Sequence, residues 1–125
     1  MISVKKTLKA IVNKFQQKPE LLWTNSTPTA TFAAKTITLS KSLSNYKYYD
    51  IHFKQNTGDN RIFVQRFTVG SGFHIFFSYS VTQYRSSNAV PSGTSMKFDN
   101  AYEGNAGAQA MDNNKIIPVA VYGIK

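Results

Sequence analysis

Apolar positions follow two different periods along this chain. Over residues 1–18, Met1, Val4, Leu8, Ile11 and Phe15 recur at alternating steps of three and four. That spacing draws one apolar seam on an α-helix, with a broken second seam through Ile2 and Val12. Ser3 is a candidate N-cap. Pro19 ends the helix, because it disfavours helical geometry at Lys18 and has no amide to donate. A helix this short is marginal alone in water, so the seam calls for a partner surface.

From Leu21 onward the helical period gives way to short runs that alternate. Leu21–Asn25 and Phe32–Leu39 read as strands, the second placing Ile37 and Leu39 on one face. Tyr46–Gln55 alternates Tyr49, Ile51 and Phe53 against Tyr48, Asp50, His52 and Lys54. Thr57-Gly58-Asp59-Asn60 then signals a hairpin. Arg61–Val69 alternates again, and Gly70-Ser71-Gly72 marks the next turn. Phe73–Tyr84 reads as one long run with Ile75, Phe77, Tyr79 and Val81 on one side. Arg85–Ser95 reads as a loop, Met96–Phe98 as a short strand and Ile116–Ile124 as the closing strand. In that last strand Ile117, Val119 and Val121 are expected to face inward. Pro118 requires the strand to lie at an edge or to carry a bulge. The pattern predicts an all-β protein, an antiparallel β-sandwich or jelly roll of seven to eight strands, behind a short amphipathic helix. The domain division is 1–18 for the helix and 19–125 for the sandwich.

Charge sharpens this division. The chain of 125 residues carries a net +9, which invites a nucleic-acid reading. Lys5, Lys6, Lys9, Lys14 and Lys18 supply five of those charges, with no acid in the same stretch. The other ten basic residues are scattered among six acids, so no phosphate-binding stripe forms and nucleic acid is disfavoured as a partner. A basic helix lying on an anionic membrane is the least favoured of three readings of this segment. The favoured reading is a coiled-coil seam that forms an oligomer interface through Met1, Val4, Leu8, Ile11 and Phe15. Phe15 and the second seam suit more than two helices, which points to a homotrimer whose lysines repel and which salt should strengthen. Docking of the helix on its own sandwich is the alternative.

Candidate chemistry is sparse. The absence of cysteine removes disulfides and thiolate sites. No apolar run approaches the ~20 residues of a membrane span. Asp50 and His52 share a strand face and could begin a metal site, but no third ligand is in view. Asp99 and Glu103 are the only carboxylates close enough in sequence to suggest a glycosidase pair. Three Asp-Asn pairs, at Asp59, Asp99 and Asp112, read as turn residues rather than calcium ligands. Asn25-Ser26-Thr27 matches a glycosylation acceptor, which matters only in a eukaryotic secretory setting. The expectation is therefore no enzyme, no cofactor and no metal. Tyrosine carries the stronger signal, since exposed tyrosines beside polar residues make recognition surfaces on which sugars can stack. Tyr84-Arg85 and Tyr102-Glu103 are the candidate receptor or glycan contacts.

Leu22-Trp23-Thr24-Asn25-x-x-Pro28-Thr29-x-x-Phe32-Ala33-Ala34-x-Thr36-Ile37-x-Leu39 resembles the opening of a small β-sandwich domain in phage and prophage structural proteins. Ile117-Pro118-Val119-Ala120-Val121-Tyr122-Gly123-Ile124-Lys125 resembles the C-terminus of the same group. These are fibre, appendage or receptor-binding components of phages of Gram-positive hosts. The resemblance implies a virion location and trimeric assembly, and leaves the receptor open; other virion proteins and a host-surface glycan are the expected partners. It implies no catalytic residues. A carbohydrate-binding module and a virion decoration protein are the alternatives.

Overall fold

The computed structural model describes residues 3–15, 18–105 and 107–125, with backbone alone for residues 10–15. Helix α1 spans Val4–Phe15. Ser3 caps it, with its Oγ accepting the Lys6 amide at 3.2 Å and its carbonyl accepting the Thr7 amide at 3.1 Å. Met1, placed on the seam by its spacing, lies outside the described residues, as do the side chains of Ile11 and Phe15.

Nine strands follow among the described residues: β1 (Glu20–Thr24), β2 (Lys35–Thr38), β3 (Tyr48–Asn56), β4 (Phe63–Thr68), β5 (His74–Ser78), β6 (Thr82–Ser87), β7 (Ser95–Asn105), β8 (Ala108–Met111) and β9 (Lys115–Ile124). They form two antiparallel sheets. One runs β1-β9-β3-β4; the other runs β2-β7-β6-β5, with β8 also on β7. The first and last strands pair with each other, so the chain closes on itself. Between the sheets lie Leu22, Ile37, Tyr49, Ile51, Phe53, Ile75, Phe98 and Val121, all buried. Trp23, Phe32 and Phe98 meet ring against ring at 5.4–6.2 Å. The all-β sandwich behind one helix is thus the architecture that the alternation predicts.

The nine strands exceed the predicted seven to eight, for two reasons. The Phe73–Tyr84 run does not continue as one strand. It reverses between Ser78 and Thr82, so that Ser78 pairs with Thr82 and Phe76 with Tyr84. Residues 99–115 also form more strand than loop, as the end of β7 folds back onto β8. Gly104 permits the close approach there: a Cβ on it would sit 2.2 Å from the Ala108 carbonyl oxygen. The Phe32–Leu39 strand is shorter than its pattern, Lys35–Thr38.

Pro118 sits in a central strand and not at an edge, because β9 is flanked by β1 and β3. A bulge accommodates it. Phe53 faces Pro118 while its neighbour His52 faces Ala120, leaving Val119 as the extra residue. Val119 is accordingly half-buried rather than inward, and its carbonyl accepts the Asn25 amide at 2.8 Å. Ile116, at the start of the same strand, is buried with φ +44°, an unusual conformation for a β-branched residue.

Candidate functional site

Three surfaces bear on function: the exposed stripe of α1, the outer face of β5–β8 and the outer face of β1-β9-β3-β4. On α1, Val4 is 75% exposed and Leu8 57% exposed. The sandwich therefore leaves these two seam residues uncovered. Glu20 ties down the strand that follows the helix. Its carboxylate accepts from Tyr46 Oη at 2.6 Å, Lys41 Nζ at 3.1 Å and Lys125 Nζ at 3.2 Å. These partners, the tyrosine hydroxyl first, pull its pKa down to about 2.

The outer face of β5–β8 is where register matters most. Phe76 lies opposite Tyr84, Tyr84 opposite Tyr102, and Tyr102 opposite Met111. Directly opposed residues share a face, so these four side chains form one row across four strands. His74 joins it and leaves four rings in approximately parallel planes. Phe76 to His74 is 6.3 Å at 27°, His74 to Tyr84 is 5.2 Å at 29°, and Tyr84 to Tyr102 is 5.5 Å at 19°. The ends of the row are open: Phe76 is 47% exposed and Met111 59% exposed. Polar groups flank it. Tyr84 Oη donates to Gln109 Oε1 at 2.7 Å, and His74 Nδ1 meets Ser86 Oγ.

The structure thus joins two of the four candidate contact residues and separates the other two. Tyr84 and Tyr102 stack side by side. Arg85 and Glu103 are their immediate neighbours in sequence, so strand geometry turns them to the opposite face. Arg85 is a correction to the expected exposed contact: it is in a strand rather than a loop and is fully buried. Its guanidinium donates to three backbone carbonyls, of Asp99 at 2.6 Å, Ile116 at 2.7 Å and Lys115 at 3.2 Å. It also lies 5.1 Å from the centre of the Phe32 ring. Burial pulls its pKa down to about 10, so it remains charged at neutral pH. Glu103 is half-buried, bonded to the Gln83 amide and 3.5 Å from Lys115 Nζ. It forms no part of the tyrosine face.

On the other outer face Asp50 and Arg66 form a two-pronged pair at 2.8 and 3.0 Å. Arg66 extends over the Tyr48 ring at 5.6 Å. Asp50 is therefore covered despite its polar phase on β3, and its carboxylate is already engaged. His52 rests on Tyr122 at 4.5 Å, and burial lowers its pKa. Among the described residues no three histidine, cysteine, aspartate or glutamate side chains are grouped as metal ligands. Lys54, on the same strand phase, is buried with Nζ donating to the carbonyls of Thr57 at 3.1 Å and Pro28 at 3.2 Å.

The carboxylate pair considered for glycoside cleavage does not come together. Asp99 and Glu103 sit four residues apart on one strand, about 13 Å at ~3.3 Å per residue, beyond the ~5–9.5 Å that such chemistry uses. Asp59 and Asp112 accept the amides two residues ahead, Arg61 and Asn114, at 3.0 Å each, which is the turn role expected of them. Asn25 is likewise engaged: Oδ1 accepts the Thr27 amide and Nδ2 donates to the Pro118 carbonyl at 2.8 Å. No enclosed pocket is present among the described residues, and the tyrosine row is an open face.

His74, Phe76, Gln109 and Met111 belong to the tyrosine face but stand out in no local pattern. The pairing of Phe76 with Tyr84 follows only once the chain is known to reverse after Ser78, and Tyr79-Ser80-Val81 carries no glycine or proline to announce that turn. Compared with protein-family models, curated proteins and solved structures, the chain matches none.

Proposed function

We propose that this chain is a non-enzymatic structural protein of a phage particle, of fibre or appendage type. It associates through α1 with its own copies, as a trimer, and displays the sandwich toward other virion proteins and a host surface. The observation that carries this reading is the exposure of two seam residues, Val4 and Leu8, in a segment that carries lysines and no acid. A second observation supports it. Parts of the two segments that resemble phage structural proteins are paired, since Trp23 and Thr24 in β1 lie opposite Val121 and Ala120 in β9.

Light scattering on the full chain tests the assembly. A trimer that tightens as salt rises, and that becomes monomeric when residues 1–18 are removed, is the expected result. A monomer at every salt concentration refutes it. Mass spectrometry of purified particles tests the virion location separately.

A second reading is favoured by a separate observation. The tyrosine face suits a saccharide-binding module, which needs neither the helix nor a virion.

A further inference from the structure

We propose that the row on β5–β8 is a binding face for an uncharged oligosaccharide, with Phe76, His74, Tyr84 and Tyr102 packing against the sugar's C–H surface and Gln109 bonding its hydroxyls. The inference deepens the display role proposed above by naming the class of host-surface ligand.

Three features converge on that ligand. First, the rings are outside the core. The inner sides of the same strands already supply Ile75, Phe98 and Ala101 to the interior, so the outer row is not needed to close the sandwich. Second, the row mixes apolar ring surface with neutral hydrogen-bonding groups. Tyr84 Oη and Gln109 Oε1 are held 2.7 Å apart at its centre, and the other outward positions of β5 and β6 are Ser78, Thr82 and Ser86. A sugar presents the same mixture, apolar C–H faces edged by hydroxyls. Third, neither the row nor these positions of β5 and β6 contain Asp, Glu, Lys or Arg, although the chain as a whole is +9, and on β7 the exposed Lys97 and the half-exposed Asp99 bring one charge of each sign. The row itself therefore offers an anionic polymer no net charge complementarity, which is what steers such ligands.

Shape sets the scale. Four strands at ~4.8 Å spacing make the row about 14 Å long, which suits several linked sugars better than one. The face is open and not a pocket, so a single contact is weak, with a dissociation constant on the order of 1 mM. A trimer carrying three such faces raises the effective affinity by about 10²–10⁴ if the faces engage together. Assembly and ligand class therefore belong to one argument, but they are measured separately.

The test is NMR titration of the full chain with neutral oligosaccharides (chitin and β-glucan fragments) and with an anionic one (oligogalacturonate). Shifts confined to His74, Phe76, Tyr84, Tyr102 and Gln109 are expected with a neutral probe. Affinity is expected to hold as salt rises from about 50 to about 500 mM. Phe76→Ser and Gln109→Ala should each weaken binding at least about fivefold, while Val64→Ser, on the outer face of the other sheet, should leave it unchanged. Trp23 fluorescence reports whether each variant is folded, and the wild-type shifts stand whatever the variants do. The proposal is overturned if no neutral probe shifts these residues at about 10 mM. It is also overturned if only the anionic probe binds and salt abolishes it, or if the face variants alter oligomeric state and not sugar affinity. A monomer that binds the neutral probe overturns only the assembly reading, and a trimer that binds none overturns only this one.

Discussion

Replacing Arg85 by methionine should destabilise the fold by about 3 kcal/mol. The side chain is fully buried and donates to the carbonyls of Asp99, Lys115 and Ile116. Hydrogen bonds from a charged group contribute about 1.5–3 kcal/mol each, so the three together contribute about 4.5–9 kcal/mol. Against them stands the cost of burying the charge. The fall in pKa from 12.5 to about 10 corresponds to about 3.5 kcal/mol at ~1.4 kcal/mol per pH unit. The bonds win, and methionine, which fits the volume but donates nothing, takes the guanidinium's donors away from all three carbonyls. Ile116 adds to the loss, because the same guanidinium holds the residue whose φ is +44°. Urea unfolding followed by Trp23 fluorescence reads the effect. Trp23 packs on Phe32 and Phe98, beside the arginine, and is the only tryptophan. With a slope of about 2 kcal/mol/M the midpoint should fall by about 1.5 M. Arg85→Lys should recover only part of this, since an ammonium cannot fork to three acceptors. A midpoint within about 0.3 M of wild type would refute the clamp. If that variant also lost ligand binding, Arg85 would be a surface contact after all.

Three further outcomes follow from the same geometry. Gly104→Ala should separate β8 from β7, because its Cβ would meet the Ala108 carbonyl at 2.2 Å; faster amide exchange over Ala108–Met111 is the signature, and unchanged protection there would count against it. Asp50→Ala should cost about 1 kcal/mol by releasing Arg66 from its two bonds at 2.8 and 3.0 Å, checked by urea midpoint, whereas no change would mean that the pair is worth no more than an open surface contact. Glu20 has a folded pKa lowered to about 2 from an ordinary value near 4.5, so the unfolded chain binds more protons between those values. Its contribution is complete above about pH 4.5 and disappears as pH falls through about 2; Glu20→Gln should flatten this part of the acid-unfolding curve, and an unchanged curve would show that Tyr46, Lys41 and Lys125 do not act through it.

How far the sequence reaches differs from strand to strand. β3 and β4 are readable because one phase of each run is apolar, and Tyr49, Ile51 and Phe53 go to the core as alternation requires. β6 inverts that logic. Its inward residues are Gln83 and Arg85, and its outward residue Tyr84 is aromatic. Periodicity alone assigns such a strand to the wrong face, since it counts apolarity and cannot see three carbonyls waiting for a guanidinium. The same inversion explains why Tyr84 and Tyr102 were accessible to sequence reasoning as surface residues while Arg85 and Glu103 were misplaced beside them.

The order of residues by itself determined what depends on near neighbours: the helix and its candidate cap at Ser3, the alternation that makes the rest β, the turns at Asp59 and Asp112, and the need for either an edge or a bulge at Pro118. Tertiary structure alone decided what depends on register between strands far apart in sequence. Only pairing places Phe76, Tyr84, Tyr102 and Met111 in one row, brings Arg85 under the carbonyls of Lys115 and Ile116, and lays Arg66 over Asp50. The physical reason is that a strand's own pattern specifies two faces, while the choice of face and partner is made by the packing of the whole sandwich.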